Sequence, residues 1–176
     1  MTQLTRPVTE VDHYLGLFTA PVTLVEYGDY QCAICGRFQP LVKQLQAHFG
    51  SQLRIVFRHF PLKKTHPLAF EAACAAEAAA HQQRFWEMHA EIYRHQKALD
   101  EASLEKYAQD LGLNLEQFRL DKSAVEVGQR IEDSFIQGVL SGVNGTPCFF
   151  IQGSRYDGDP SFDALVRALD AITEVR

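Results

Sequence analysis

Hydrophobic positions recur with two different periods along this chain. Val22-Thr23-Leu24-Val25-Glu26-Tyr27 is an almost unbroken apolar run, which predicts a buried strand over 22–27. After the turn-prone Gly28-Asp29 the period changes. Ile34, Phe38, Leu41, Val42 and Leu45 recur at helical spacing, predicting a helix from Cys32 to about Phe49 that Gly50 ends. Pro40 falls inside that helix and is expected to kink it. Leu53-Arg54-Ile55-Val56-Phe57 reads as a second buried strand.

From about Lys64 to Ser141 the period stays helical. An alanine-rich run follows Pro67, and Phe85, Met88, His89 and Ile92 share one helical face. Asp100 is placed to cap a helix bearing Leu104, Tyr107, Ala108 and Leu111, with Gly112 as its stop. Asn114 with Gln117 resembles a capping box, and Ala124, Val127, Gly128, Ile131 and Phe135 form another apolar stripe. Strand character returns at the end: Cys148–Gln152 and Ser154–Tyr156 read as a hairpin about Gly153. Phe162, Leu165, Val166, Leu169 and Ile172 complete a final amphipathic helix. Strand and helix elements at both ends thus flank a helical stretch, and the ends together are long enough for a small α/β domain.

Composition narrows the class. With 176 residues, 46% hydrophobic and 22% charged, the chain can bury a real core as one domain. A net charge of −5 with no basic run argues against nucleic acid or an anionic membrane as the main partner. No apolar stretch is long enough for a membrane span. Met1-Thr2-Gln3-Leu4-Thr5-Arg6-Pro7 lacks an apolar signal core, so a cytoplasmic location is expected, or a periplasmic or other extracytoplasmic one if a leader has been removed. Four cysteines are too few for a disulfide scaffold at this length.

Two of those cysteines carry the chemistry. Cys32-Ala33-Ile34-Cys35 lies where the first strand hands over to the first helix. A thiol at a helix N-terminus faces backbone N–H groups without intrahelical partners and the positive end of the dipole, which favour thiolate. The effect is about 1 kcal/mol, at most about 2, or roughly one pKa unit. Cys35 is one turn further in, close enough to close a small disulfide. The pair reads as a redox dithiol, with Cys32 the attacking thiolate and Cys35 the resolving one. Zinc sites use the same C-x-x-C spacing, so the motif alone also admits a metal-binding protein with His59 or another ligand.

A second signal lies far away: Gly142-Val143-Asn144-Gly145-Thr146-Pro147 leads into Cys148-Phe149-Phe150-Ile151, and the Thr146-Pro147 step is a candidate cis peptide bond. Further pieces are Phe57-Arg58-His59-Phe60-Pro61-Leu62, His66-Pro67-Leu68-Ala69 and Phe85-Trp86. Together, in this order, they resemble the thioredoxin superfamily and within it the DsbA-like thiol–disulfide oxidoreductases. The resemblance implies an α/β fold in which a thioredoxin-like core, 15–63 and 142–176, is split by a helical insertion, 64–141, the whole of 1–176 forming a single domain. It implies disulfide exchange with protein, peptide or small-molecule thiols, and a redox-recycling partner that returns the dithiol to its starting state. No cofactor or metal is expected beyond the Cys32–Cys35 couple itself.

It also assigns roles. Glu26, in an otherwise apolar strand, matches the buried acid of thioredoxin-like proteins and would accept the proton of Cys35, its ionisation made harder by burial. The alternative is an edge carboxylate in solvent or paired with Arg58. Thr146 and Pro147 would form the platform on which an extended peptide pairs beside Cys32, with Ala33 and Ile34 also facing substrate. Strongly oxidising relatives carry histidine between the cysteines. Ala33 and Ile34 cannot donate a side-chain hydrogen bond to the thiolate, so a milder oxidant is expected, working as reductase or isomerase if cytosolic. Cys74, in the alanine-rich helix, and Cys148 read as small buried hydrophobes, and the place of Cys148 directly after Thr146-Pro147 also leaves open a third redox thiol. A peptide-binding or redox-sensing module without turnover is the remaining alternative.

Overall fold

The computed structural model describes residues 2–173, which fall into two compact units. One unit is the chain up to Gly28, Arg37–Arg58 and the chain from Gln137 onward. It is built on a five-stranded sheet: β1 (His13–Leu15), β2 (Val22–Gly28), β3 (Leu53–His59), β4 (Cys148–Ile151) and β5 (Ser154–Tyr156), in the order β1-β3-β2-β4-β5. β1 pairs with β3, β2 with β4, and β4 with β5, all antiparallel. Every residue of β2 is buried, which is why its sequence is apolar throughout and not alternating.

Alternation nevertheless decides which side chain faces which layer. Val22 and Leu24, Leu53 and Ile55, and Phe149 and Ile151 point to one face. There they pack with Phe38, Val42 and Leu45 of α1 (Ala33–Phe49) and Leu165 and Leu169 of α7 (Phe162–Thr173). The Phe38 and Phe149 rings lie 4.4 Å apart at the centre of this layer. The helix expected from Cys32 begins one residue later and runs unbroken through Pro40.

The hairpin expected about Gly153 is present. Its two central residues, Gln152 and Gly153, have φ of 50° and 81°, the left-handed conformation that a two-residue turn needs to match the strand twist. β3 runs two residues beyond its apolar stretch, because Arg58 finds partners in Asp12 and the Tyr27 hydroxyl. β1 has no periodicity of its own and exists because β3 offers it an edge.

The second unit comprises Asp29–Gly36 and His59–Ile136. It holds α2 (Ala69–His81), α3 (Phe85–Arg94), α4 (Glu101–Asp110), α5 (Leu115–Lys122) and most of α6 (Val125–Leu140). α2 is the central helix: Ala72, Ala73, Ala75, Ala76, Ala78 and Ala79 are all buried, their small side chains letting neighbouring helices approach closely. Asp100 accepts from the Ser103 amide and Asn114 from the Gln117 amide, so both expected N-caps are formed. Glu77, buried on α2, receives the Arg130 guanidinium at 2.8 Å and lies 2.8 Å from His59 Nε2, so its charge is paired inside the unit.

Candidate active site around Cys32 and Cys35

The dithiol is held by a loop of four residues, 29–32, that is bonded along its whole length. Asp29 Oδ1 accepts the amides of Gln31 at 2.7 Å and Cys32 at 3.2 Å, and the Asp29 carbonyl also accepts from Cys32 at 3.1 Å. This is an Asx turn, the local preference of aspartate before a helix. Asp29 Oδ2 accepts the Leu62 amide at 2.8 Å and lies 2.9 Å from His66 Nδ1. The carboxylate is therefore fully buried yet bonded on both oxygens.

Cys32 stands at the N-cap of α1. Its carbonyl accepts the Gly36 amide at 3.1 Å, and its Sγ lies 3.4 Å from the Cys35 amide nitrogen, which donates to it. The sulfur occupies the place that a Ser or Asp oxygen takes at other helix starts, and a thiolate there would receive an N–H and the helix dipole together. Cys32 is 6% exposed and Cys35 0%. That difference leaves the first thiol with some exposed surface and the second with none. Ala33 and Ile34, between them, are exposed.

Other residues of the helical unit, to which this loop belongs, hold it as well. Gln96, after α3, donates from Nε2 to the carbonyls of Tyr30 at 2.7 Å and Cys32 at 2.9 Å. The Tyr93 hydroxyl reaches the Asp29 carbonyl at 3.4 Å. Tyr30 itself is buried, its hydroxyl 3.0 Å from His89 Nδ1 and its ring 4.9 Å from that of Tyr93.

Glu26, Thr146 and Pro147 belong to the sheet unit. Glu26 is 2% exposed, pairs in register with Phe149, and shares the face of Leu24 that α1 and α7 cover. Its alternative partner, Arg58, is engaged elsewhere in a two-pronged pair: Nε to Asp12 Oδ1 at 2.9 Å and a terminal nitrogen to Oδ2 at 3.1 Å. Burial alone would raise the Asp12 carboxyl, but the hydrogen bond and charge of Arg58 outweigh it and hold Asp12 below the usual carboxylate range. The Thr146–Pro147 bond is cis, and both residues are half-buried just before β4.

The other two cysteines are buried. Burial pushes the Cys74 thiol up to about 12 and raises that of Cys148 as well. Neither forms appreciable thiolate at neutral pH. Iodoacetamide on the native, reduced protein is therefore expected to modify Cys32 first, leaving Cys74 and Cys148 unlabelled until denaturant is added. Peptide mapping that finds Cys74 labelled in the native protein would refute this.

The sequence pattern singles out Cys32, Cys35, Ala33 and Ile34 but not their supports. Asp29 carries a signal, an Asx residue three before a helix N-cap, that by itself reads only as a turn. Gln96 carries none, since its partners lie more than sixty residues away.

The fold and the buried dithiol define a thioredoxin-fold protein of the DsbA-like plan. The family described as thioredoxin matches residues 8–171, and the chain belongs to it. A thioredoxin-like oxidoreductase from Silicibacter pomeroyi DSS-3 superposes with a TM-score of 0.84 at 28% identity, covering 94% of each chain. The thiol-disulfide exchange protein alpha-DsbA2 from Wolbachia pipientis shares the fold, with a TM-score of 0.83 at 22% identity over 93% of this chain and 88% of that one. In sequence, the Na(+)/H(+) antiporter NhaA 1 of Mycobacterium sp. (strain KMS) is 43% identical over 171 residues, 96% of this chain. The chain spans only 28% of that relative's length. Among the described residues, no helix is long and apolar enough to cross a membrane.

Proposed function

We propose that this chain is a thiol–disulfide oxidoreductase in which Cys32 attacks and Cys35 resolves. The observation that carries the reading is the Cys35 amide directed at Cys32 Sγ at the start of α1, with Cys32 the more accessible of the two. In the reductive direction the Cys32 thiolate attacks one sulfur of a substrate disulfide. That S–S bond breaks, a mixed disulfide forms, and the other substrate sulfur leaves as thiolate. Cys35, having lost its proton, attacks Cys32 Sγ and expels the second substrate sulfur. The substrate has gained two electrons, and the protein holds a Cys32–Cys35 disulfide that a partner dithiol must reduce. Oxidation of substrates is the same sequence reversed.

Glu26 is proposed as proton acceptor for Cys35, directly or through water, and Thr146 with Pro147 as the backbone platform for an extended peptide, with Ala33 and Ile34 contacting the substrate around Cys32. The redox couple is the cysteine pair itself, with no further cofactor or metal required. Reduction of insulin by the protein with dithiothreitol tests the reading. Insulin reduced no faster than by dithiothreitol alone would sink it.

Ala33 and Ile34 supply no side-chain donor to the thiolate, so the couple is expected between the thioredoxin and DsbA values, on the order of −150 to −250 mV. A glutathione titration giving a value near −120 mV would refute the argument from the dipeptide. In a reducing compartment such a couple rests mainly as the dithiol, which favours reductase or isomerase work.

A second reading concerns the partner and draws on the antiporter relatives, of which this chain corresponds to about a quarter. The substrate or recycling thiols would then belong to a membrane transporter. Trapping with Cys35→Ser in cells should recover a membrane protein in mixed disulfide with Cys32, and recovery of soluble proteins alone would count against it.

A further inference from the structure

We infer that Gln96 is a positioning residue for the dithiol, fixing the backbone on either side of Gln31 so that the Cys35 amide stays aimed at Cys32 Sγ. The inference rests on the reading of Cys32 as the attacking thiol. The Gln96 amide group spends both hydrogens on one short segment, at 2.7 Å to the Tyr30 carbonyl and 2.9 Å to that of Cys32. With the Gly36 amide at 3.1 Å, the Cys32 carbonyl then has two donors. The peptide that enters α1 is held from the helix side and from the insertion side together.

Gly36 is the second observation. It lies in the first turn of α1, where glycine weakens a helix. A methyl group at this position would collide with Gln96 Oε1. Its lack of a side chain is what lets the Gln96 amide reach past the helix to Cys32. Tyr93, three residues before Gln96, adds its hydroxyl to the Asp29 carbonyl, so α3 and the turn after it hold both ends of the loop.

The consequence for reactivity follows from geometry. An N–H···S contact weakens steeply as its angle opens, and the Cys35 amide sits three residues from the bond Gln96 makes. The Gln96 amide also brings the positive end of its dipole to the Cys32 peptide, adding to that of the helix. Losing either contribution leaves the thiolate less favoured relative to the disulfide.

Two variants reach the same amide from opposite sides. Gln96→Met keeps the length and removes the donor. Gly36→Ala forces the Gln96 amide aside while leaving the donor itself in the protein, so it disturbs the same contact from the helix side. Both are equilibrated with glutathione at a fixed ratio, and the iodoacetamide rate at Cys32 is measured at pH 7 alongside Tm. The expected result is a shift towards disulfide and a slower Cys32 alkylation, each roughly two- to tenfold, the range of one hydrogen bond. Unchanged alkylation and glutathione equilibrium in Gly36→Ala, or in a folded Gln96→Met, overturns the inference, whether or not Tm falls. If the unsubstituted protein fails to reduce insulin, the oxidoreductase reading falls, while the alkylation comparison still decides the part played by Gln96.

Discussion

Cys32→Ser is expected to bring disulfide exchange to the uncatalysed background, while Cys35→Ser should accumulate a mixed disulfide through Cys32. The two cysteines are chemically alike and unequal in position. Cys32 Sγ receives the Cys35 amide and keeps a small exposed surface, whereas Cys35 has none. A hydroxyl in place of the first thiol supplies no thiolate to attack with. A hydroxyl in place of the second leaves the first attack intact and removes the group that would release the product. Insulin reduction and non-reducing mass spectrometry measure the two effects. Equal alkylation rates at both thiols in the native protein, or a trapped adduct on Cys35 in Cys32→Ser, would overturn the assignment.

Arg58→Leu is expected to cost about 3–5 kcal/mol of stability, the range for breaking a buried ion pair by removing one partner. Arg58 is 5% exposed and makes five hydrogen bonds: two to Asp12, one to the Tyr27 hydroxyl, and one each to the Arg6 and Pro7 carbonyls. Its loss strands the Asp12 carboxylate in a buried place. For a domain of this size the change corresponds to a fall in Tm of roughly 6–20 °C. A fall of less than about 2 °C, under the range for 1 kcal/mol, would show that the pair contributes little.

The same pair has a pH signature with a definite sign. Asp12 is held below its ordinary value of 3.8 in the folded protein. Its contribution to stability is therefore complete above about pH 4 and is lost as the pH falls through the lower folded value. Urea midpoints between about pH 5 and pH 2 should decline more steeply in the unsubstituted protein than in Asp12→Asn, which has no proton to take up there.

The features legible in the sequence are local ones. The strand at 22–27 shows because Val22, Leu24, Val25 and Tyr27 crowd into it. The helix after Cys32 shows through its apolar spacing, and the hairpin through Gly153. The α4 and α5 starts are visible because Asp100 and Asn114 bond to amides only three residues on. The C-x-x-C pair belongs to the same category: its geometry is one turn of helix, so spacing alone brings the two thiols together.

β1 is invisible in the sequence because a three-residue strand has no period; only the edge of β3 makes it one. By sequence Arg58 could serve as a partner for Glu26, and its commitment to Asp12 depends on how residues 12 and 58 meet across a span of 46 residues. Gln96 resembles any polar residue in a turn until the fold places its amide on the Cys32 carbonyl.

The division has one physical origin. Periodicity, capping and turn chemistry act over three or four residues, so the longer strands and the helices of this protein, the position of its dithiol and the unequal places of Cys32 and Cys35 on the helix are already legible in the sequence. Which donors brace the loop at 29–32, and which cation neutralises Asp12, are matters of long-range packing. Those were decided by tertiary structure alone, because a hydrogen bond forms only where distance and angle are satisfied together, and no local pattern encodes a contact made sixty residues away.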